Sequence, residues 1–490
     1  MKLIDDFLNK ITMYRLVLYY LVTLVGAAMV FGLFGVISYN PANLAFSTLV
    51  ILASGYATNM IFARIFGAET NVESVYITSL ILALIITPPA PTDLIGVGFI
   101  IFASVWAMAS KYIFAYGNKH LFNPAAFGIA LSVIVIGQAA TWWASGSLPL
   151  LPLVVGGGLL IVRKIHRFDL VIIFVLVALA TITLTTSGNP FFALQETLTR
   201  SAFAFLALVM LTEPLTMPPS RTLRIIYGVM VGILFAPEVH FGSFYFTPEL
   251  ALLAGNLFVA LASPKGRLTL TLSEKIELAD STYEFVFTPD RAYRFTPGQY
   301  LEWTLGHHFA DNRGNRRFFT IASSPTEETI RLGVKFYKPA STFKRALWAM
   351  QVGDTLSAAH VAGDFTLPKN KKKKLAFIAG GIGITPFRSM TQYLIDTNDT
   401  RDVVLLYSNT SPSDVAYQDV FDAAATRIGM KTVYTSRIDA GLIAREIPDY
   451  QERLFYISGP RGMVEAFTST LRTMGVSRFN IKTDYFPGFA

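Results

Sequence analysis

Arg316-Arg317-Phe318-Phe319-Thr320, running on into Ile321-Ala322-Ser323-Ser324-Pro325, is the stretch from which the rest of the chain can be read. Its aromatic and β-branched residues favour a strand. An isoalloxazine ring requires a flat apolar wall, a hydrogen-bond donor near its reactive nitrogen and a fixed cation for the phosphates beyond its ribityl chain. Phe319, with Phe318 beside it, Thr320 and Arg317 supply these in turn; arginine suits the last role because its planar fork grips phosphate oxygens in pairs. Taken alone, the five residues also read as an edge strand with a solvated arginine. The sequence on either side decides between the two.

From Leu268 onward the chain alternates in short strands, Leu268–Leu272, Thr282–Phe287 and Ile330–Tyr337, which predicts a small antiparallel barrel. Phe295-Thr296-Pro297-Gly298-Gln299-Tyr300 precedes the opening stretch, and Lys338-Pro339-Ala340-Ser341-Thr342-Phe343 follows it into a short helix. The hydroxyls of Ser341 and Thr342 can either take a second phosphate at that helix start or simply cap it. Beyond a linker at Lys369–Lys374, read as a solvated loop, the pattern changes to strand–helix alternation. Leu375–Ala379 is a buried-type strand that runs into Gly380-Gly381-Ile382-Gly383-Ile384-Thr385-Pro386 and then a helix. Glycines at such a turn let backbone approach a pyrophosphate at the helix N-terminus. Two more strands, Val403–Ser408 and Leu454–Ser458, the latter entering Gly459-Pro460, complete the signature of an α/β nucleotide-binding domain.

Arg317-x-Phe-Thr320, Gly380-Gly-x-Gly-x-Thr-Pro386 and Ser458-Gly-Pro460, in this order, resemble the ferredoxin–NADP reductase family over residues 266–490. The resemblance implies a FAD-binding Greek-key β-barrel at 266–368 and an NAD(P)-binding α/β domain at 369–490. It implies that Arg317, Ser341 and Thr342 hold flavin phosphates and that Phe318, Phe319 and Thr320 hold the isoalloxazine. Gly380, Gly381, Gly383, Thr385 and Pro386 would hold the dinucleotide pyrophosphate, and Ser458, Gly459 and Pro460 the nicotinamide side. Thr320 and Ser458 are then the residues next to the hydride transfer, and Tyr485 and Phe486, in Thr483-Asp484-Tyr485-Phe486-Pro487-Gly488-Phe489, belong to the aromatic tail near the flavin. Two positions depart from the pattern: Ser458 stands where a cysteine is common, and Ala340 where a glycine precedes the phosphate-binding serine.

The other half of the chain is of a different kind. The 490 residues are 52% hydrophobic and only 15% charged, against about 25% charged in ordinary soluble proteins. No charge occurs from Leu16 to Ala63, and further apolar stretches cover about 72–88, 93–111, 123–138, 148–162, 168–186, 199–213, 224–237 and 249–263, giving ten predicted spans over 1–265. With the N-terminus cytoplasmic and every span crossing, thirteen Lys and Arg fall inside and only Arg200 outside. This positive-inside pattern assigns a multi-pass protein of the cytoplasmic membrane with both termini in the cytoplasm, and explains the net charge of +8 without a nucleic-acid partner. Met1 to Arg15 is polar, so no cleavable leader is expected. Gly156-Gly157-Gly158 and the repeated Asn40-Pro41-Ala42 and Asn123-Pro124-Ala125 suit either a cofactor cavity or close helix packing.

Cysteine is absent, and the three histidines of this half, His120, His166 and His240, all lie in loops. Thiolate iron–sulfur clusters and a transmembrane haem pair are therefore excluded from this chain, and no metal-ligand set is identified. Leu121-Phe122-Asn123-Pro124-Ala125-Ala126-Phe127-Gly128 and Leu211-Thr212-Glu213-Pro214-Leu215-Thr216-Met217-Pro218, ahead of Tyr227-Gly228, resemble the NqrB/RnfD family, the membrane components of the sodium-translocating NADH:quinone reductase and of the Rnf complex. The resemblance implies a flavin in the membrane domain, FMN or riboflavin, with Asn123 and Thr212 as contacts. Thr186-Ser187-Gly188-Asn189-Pro190 has no acceptor threonine after the glycine, so a non-covalent flavin is expected. The combined expectation is a ten-helix membrane domain followed by the barrel and α/β domains. Cytoplasmic NADH or NADPH would be oxidised at FAD, and electrons would cross the bilayer to an extracytoplasmic flavoprotein or enter a quinone. Haem-dependent ferric reduction and a redox-gated cation pump are the competing classes. The sequence leaves NADH against NADPH, ion coupling and oligomeric state open.

Overall fold

The computed structural model describes residues 4, 7, 8, 11–67, 72–116, 119–262, 267–307, 315–337 and 339–486. Two compact units divide the chain, Met1–Lys265 and Gly266–Ala490.

The first unit is helical: α1 (Met13–Leu33), α2 (Pro41–Phe66), α3 (Val72–Ile85), α4 (Leu94–Ile113), α5 (Pro124–Ile136), α6 (Leu151–Ile165), α7 (Phe168–Thr185), α8 (Pro190–Arg200), α9 (Arg221–Leu234) and α10 (Pro248–Ala262). The recurring Asn-Pro pairs are helix starts. Asn40, Asn123 and Asn189 each accept a backbone N–H from the first turn, and the proline that follows occupies a position needing no donor. Among the described residues four helices, α1, α2, α4 and α7, are long and apolar enough to cross a membrane, while α3, α5 and α10 are apolar but shorter. The expected ten crossings are thus four candidate spans here, because prolines and caps cut the remaining apolar windows short. The eighth window is not an α-helix throughout: a turn at Phe203–Phe205 opens into a π-helix at Leu206–Met210, closed by Leu211 N–H on the Leu206 carbonyl at 2.9 Å. Helix α8, with no buried residue, occupies a segment expected to be loop.

Close packing accounts for two of the three glycines in the α6 run, whereas Gly156 has open space beside it. A Cβ on Gly157 would fall on the Tyr20 ring, and one on Gly158 would lie 2.6 Å from Leu208 of the π-helix. These glycines bring helices together rather than open a cavity. Side-chain contacts also sort by predicted face. Arg15 meets Glu73 at 3.0 Å, Lys111 reaches the Ser74 carbonyl at 3.0 Å, and Arg224 pairs with Asp169 at 2.9 Å, all joining segments that the charge pattern predicts on one face. On the other face Trp142 Nε1 donates to Glu249 at 2.7 Å, and Thr87 and Thr141 share a hydroxyl bond of 2.9 Å.

The second unit holds two sheets. The first contains β1 (Leu268–Ala279), β2 (Thr282–Pro289), β3 (Tyr300–Thr304), β4 (Arg316–Thr320), β5 (Ile330–Lys335) and β6 (Thr355–Ala362), antiparallel in the order β4-β3-β6-β1-β2-β5, with α11 (Thr342–Ala349) between β5 and β6. Leu270, Phe285, Phe287, Leu301, Trp303 and Leu332 fill its core. Strand pairing does not close it into the predicted barrel. Just past β4, the Ala322 N–H reaches the Arg331 carbonyl at 2.9 Å and links the two edges.

The second sheet contains β7 (Leu375–Gly380), β8 (Val403–Ser408), β9 (Lys431–Thr435), β10 (Leu454–Pro460) and β11 (Ile481–Phe486), all parallel in the order β9-β8-β7-β10-β11. Helices α12 (Thr385–Asp396), α13 (Gln418–Ile428), α14 (Ala440–Glu446) and α15 (Arg461–Thr473) connect its strands. Strands β7 and β10 are buried along nearly their whole length, as a sheet covered on both faces requires.

Candidate functional site

The strand order reverses between β7 and β10, and in open parallel sheets ligands bind beyond the carboxyl ends of the strands at such a switch point. Both glycine-containing turns picked out in the sequence end there. Gly380 closes β7, Gly381 to Ile384 form one 3₁₀ turn, and Thr385 opens α12 with Pro386 in its first turn. Gly381 has φ of +51°, in the left-handed region where a side chain is strained. Gly383 serves closeness instead: a Cβ there would stand 2.5 Å from the Ser458 carbonyl and 2.6 Å from the Gly459 Cα. Helices α12 and α15 both start at this point without a side-chain cap, leaving backbone N–H groups for an anion.

Ser458 is fully buried at the end of β10, and among the described residues its hydroxyl has no hydrogen-bond partner. Buried hydroxyls are nearly always paired, so one left unpaired beside two uncapped helix starts fits a polar ligand group. In the parallel ladder Ser458 stands opposite Asp484 of β11, and Gly459 and Pro460 stand opposite Tyr485 and Phe486. Burial pushes the Asp484 carboxyl up to about 7. Sequence reading passed over Asp484, whose neighbour in the ladder is distant along the chain. Pro487, Gly488 and Phe489 of the predicted tail lie outside the described residues.

The opening stretch forms β4 in register with β3, Thr320 opposite Tyr300 and Arg317 opposite Trp303. Arg317 lies over the Phe343 ring at 5.3 Å, so it stands at the start of α11 beside Ser341 and Thr342. The structure thus brings together the three residues expected at a phosphate. Ser341 nevertheless caps α11, accepting the Lys344 N–H at 3.3 Å, and the Thr342 hydroxyl is engaged by His307 Nε2 at 3.1 Å. His307 is a second residue that the sequence reading missed. Of the two phenylalanines, Phe318 is 56% exposed and meets Tyr300 edge-on, whereas Phe319 is half-buried against Phe343. The open aromatic surface expected of Phe319 therefore belongs chiefly to Phe318, because alternation along the strand turns the two rings to opposite faces. Thr320 is buried.

In the first unit the two motifs meet. Glu213 accepts from Asn123 Nδ2 at 2.8 Å and Thr216 Oγ1 at 3.1 Å, and its other oxygen lies 2.9 Å from His120 Nε2. Asn256 ties Asn123 to Tyr227 through bonds of 2.8 and 3.3 Å. The two residues expected to touch a membrane flavin are committed internally. The Asn123 side-chain carbonyl caps α5 through Ala126 N–H, and the fully buried Thr212 hydroxyl donates back into its own helix at Leu208. As arranged, this centre is a sealed polar joint, and Asn123 and Thr212 do not present free groups to a flavin. Among the described residues there is no cluster that would hold a metal ion.

The profile of the family described as oxidoreductase NAD-binding domain matches residues 377–469, wholly within the second unit. The chain is 26% identical over 196 residues to the NADPH oxidoreductase of Mycobacterium tuberculosis, covering 38% of this chain and 51% of that protein. It is 27% identical over 192 residues to the NADH oxidoreductase HCR of Escherichia coli, covering 38% and 58%. The glycine betaine monooxygenase reductase subunit of Chromohalobacter salexigens is 26% identical over 210 residues, covering 39% and 56%. Among solved structures, Amycolatopsis cytochrome P450 reductase GcoB aligns with 46% of this chain and 71% of its own at 20% identity and a TM-score of 0.41. The chain spans about half the length of the curated relatives it matches.

Proposed function

We propose that the chain is a membrane-bound flavoprotein oxidoreductase. Residues 266–368 hold FAD, residues 369–490 take NADH or NADPH from the cytoplasm, and the first unit conducts electrons through the bilayer to an acceptor outside, such as a flavoprotein. The observation that carries this reading is the switch point, where Gly383 is pressed against the end of β10 and, among the described residues, the buried Ser458 hydroxyl lacks a partner. When bound, a flavin accepts the two electrons of a hydride and releases them singly. The remaining work falls to this chain. Arg317, with the start of α11, holds phosphate; Phe318, the more open of the two phenylalanines, faces the ring, with Phe319 packed behind it on Phe343; Thr320 and Ser458 supply hydroxyls near the reacting atoms. The loop from Gly380 to Pro386 receives the pyrophosphate, and β11 brings Asp484 and the backbone of Tyr485 and Phe486 alongside. The printed names of the relatives, NADPH and NADH oxidoreductases and a reductase subunit, support the choice of donor and leave both nucleotides in play.

The charge asymmetry supports placing the second unit, and both termini, in the cytoplasm. Lacking cysteine and paired histidines, the membrane unit is left with a non-covalent FMN or riboflavin as carrier, seated among its helices. The test is flavin release from detergent-purified protein. FAD plus a second flavin in each chain supports transmembrane conduction. FAD alone, at one per chain, overturns it in favour of direct quinone reduction near the cytoplasmic face.

A further inference from the structure

The strand that carries the flavin contacts and the helix that opens on the dinucleotide loop are joined by side chains with no role in either binding site. Residues Ala322, Ser323 and Ser324 follow directly after Thr320 and Ile321, and all are fully buried. From α12, one turn beyond Pro386, Ser389 Oγ donates to the Ser323 carbonyl at 2.6 Å and Arg388 Nη1 donates to the Ala322 carbonyl at 3.2 Å. Arg388 also forms a forked pair with Glu327, its Nη2 bond to Oε1 measuring 3.0 Å. Glu327 is itself fixed, because its Oε2 accepts the Ser324 N–H at 2.6 Å.

Two of these residues, Ala322 and Ser323, are also held from the side of the antiparallel sheet. Arg331 N–H donates to Ser323 Oγ at 3.1 Å, and the Arg331 guanidinium pairs with the buried Glu284 at 2.6 Å. Tyr417, at the start of α13, completes the contact. Its ring lies 5.8 Å from the Arg388 guanidinium, and its hydroxyl would be 2.6 Å from a Cβ placed on Gly333 of β5. Two consecutive carbonyls gripped by two consecutive side chains make a joint that resists both sliding and rotation, since charge-assisted and bidentate bonds fix angle as well as distance. The packing agrees, with Ala322 belonging to the hydrophobic core of the nucleotide-binding sheet rather than to that of its own.

We infer that Arg388, Ser389 and Glu327 are positioning residues: they lock α12 to the end of β4 and so set the approach of the nicotinamide to the flavin without touching either. The inference rests on the proposed flavin and nicotinamide sites. Reacting atoms must be held at about 3–3.5 Å, and a misplacement of roughly 1 Å costs on the order of 100-fold in rate.

The test uses the full-length protein, purified with its flavin, as Ser389→Ala, Arg388→Met and Arg388→Lys. Flavin content and the KM for NADH or NADPH should stay within about two-fold of wild type. Hydride transfer in stopped flow should fall about 10- to 100-fold in Arg388→Met, with partial rescue in Arg388→Lys. The long-wavelength charge-transfer band, which requires stacked rings, should weaken in parallel. Amide exchange provides a readout that needs no turnover: residues 321–324 and 385–392 should lose protection together in Arg388→Met and in Ser389→Ala. Unchanged transfer rates with full flavin content, or loosening confined to α12, overturns the inference. Should Arg388→Met not fold, Ser389→Ala, which removes one hydroxyl, decides by the same criteria. Wild-type protein that binds no FAD would refute the functional reading instead, while the exchange experiment would still rule for or against the joint.

Discussion

Ser458 and Asp484 face each other across β10 and β11, and they give the site its most direct pH dependence. Burial raises the Asp484 carboxyl from 3.8 to about 7, so between these values the folded chain keeps a proton that the unfolded chain releases. This group's contribution to stability is therefore full at low pH and lost as pH rises towards 7. Asp484→Asn should be more stable than wild type at pH 8 and nearly equal to it at pH 4, as measured by denaturant unfolding; a gap independent of pH would refute the assignment. Ser458→Ala should leave FAD content unchanged and slow NAD(P)H oxidation by about 10-fold, within the range for one hydrogen bond lost near the reacting atoms. Arg317 and Ser458 stand out in the sequence because each sits inside a short pattern with a chemical reason. Asp484 and His307 do not, since what makes them notable is a neighbour supplied by the ladder or by a helix start far away in the chain. The roles of Phe318 and Phe319 were blurred for another reason: strand alternation is visible in sequence, but which face stays open depends on Phe343.

At the scale of elements, the turn from β7 into α12 is the most constrained. Gly383→Ala would push a methyl group against the Ser458 carbonyl, and overpacking of this kind costs about 1–3 kcal/mol. The expected result is a KM for NAD(P)H raised at least several-fold with FAD retained; titration of the nucleotide against flavin fluorescence measures it. In the first unit, Gly157→Ala would collide with Tyr20 and should lower the thermal unfolding midpoint in detergent without changing the spectrum of FAD. The strand–helix alternation after residue 375 could be read from periodicity alone because parallel buried strands are continuous apolar runs. The π-helix at Leu206–Met210 could not, since its apolar run looks like any helix and nothing in it marks the extra residue of the turn that packs against Gly158. Helix α8 escaped for a different reason: it is too polar on average to read as a span, and none of its residues is buried to mark a core face.

At the scale of the molecule, the change of composition near residue 265 coincides with the division into two compact units, and this boundary could be read because a long apolar, charge-poor sequence and a charge-bearing, strand-patterned one differ in kind. The number of crossings was harder to read, because hydropathy marks apolar stretches but not where caps and prolines end them. In sealed proteoliposomes carrying the second unit outward, external NAD(P)H should reduce an acceptor trapped in the lumen, and membrane-impermeant acceptors outside should compete with it. Failure to reduce the trapped acceptor while external NAD(P)H is still consumed would exclude a transmembrane route. The covalent join between the two units has a kinetic meaning of its own. A reductase that met its membrane acceptor by diffusion would deliver electrons in proportion to its abundance, whereas a tethered one works at an effective concentration on the order of millimolar whatever the expression level. Dilution should therefore leave turnover per chain untouched, and a freely diffusing copy of residues 266–490 at micromolar levels should be a poor substitute for the attached one.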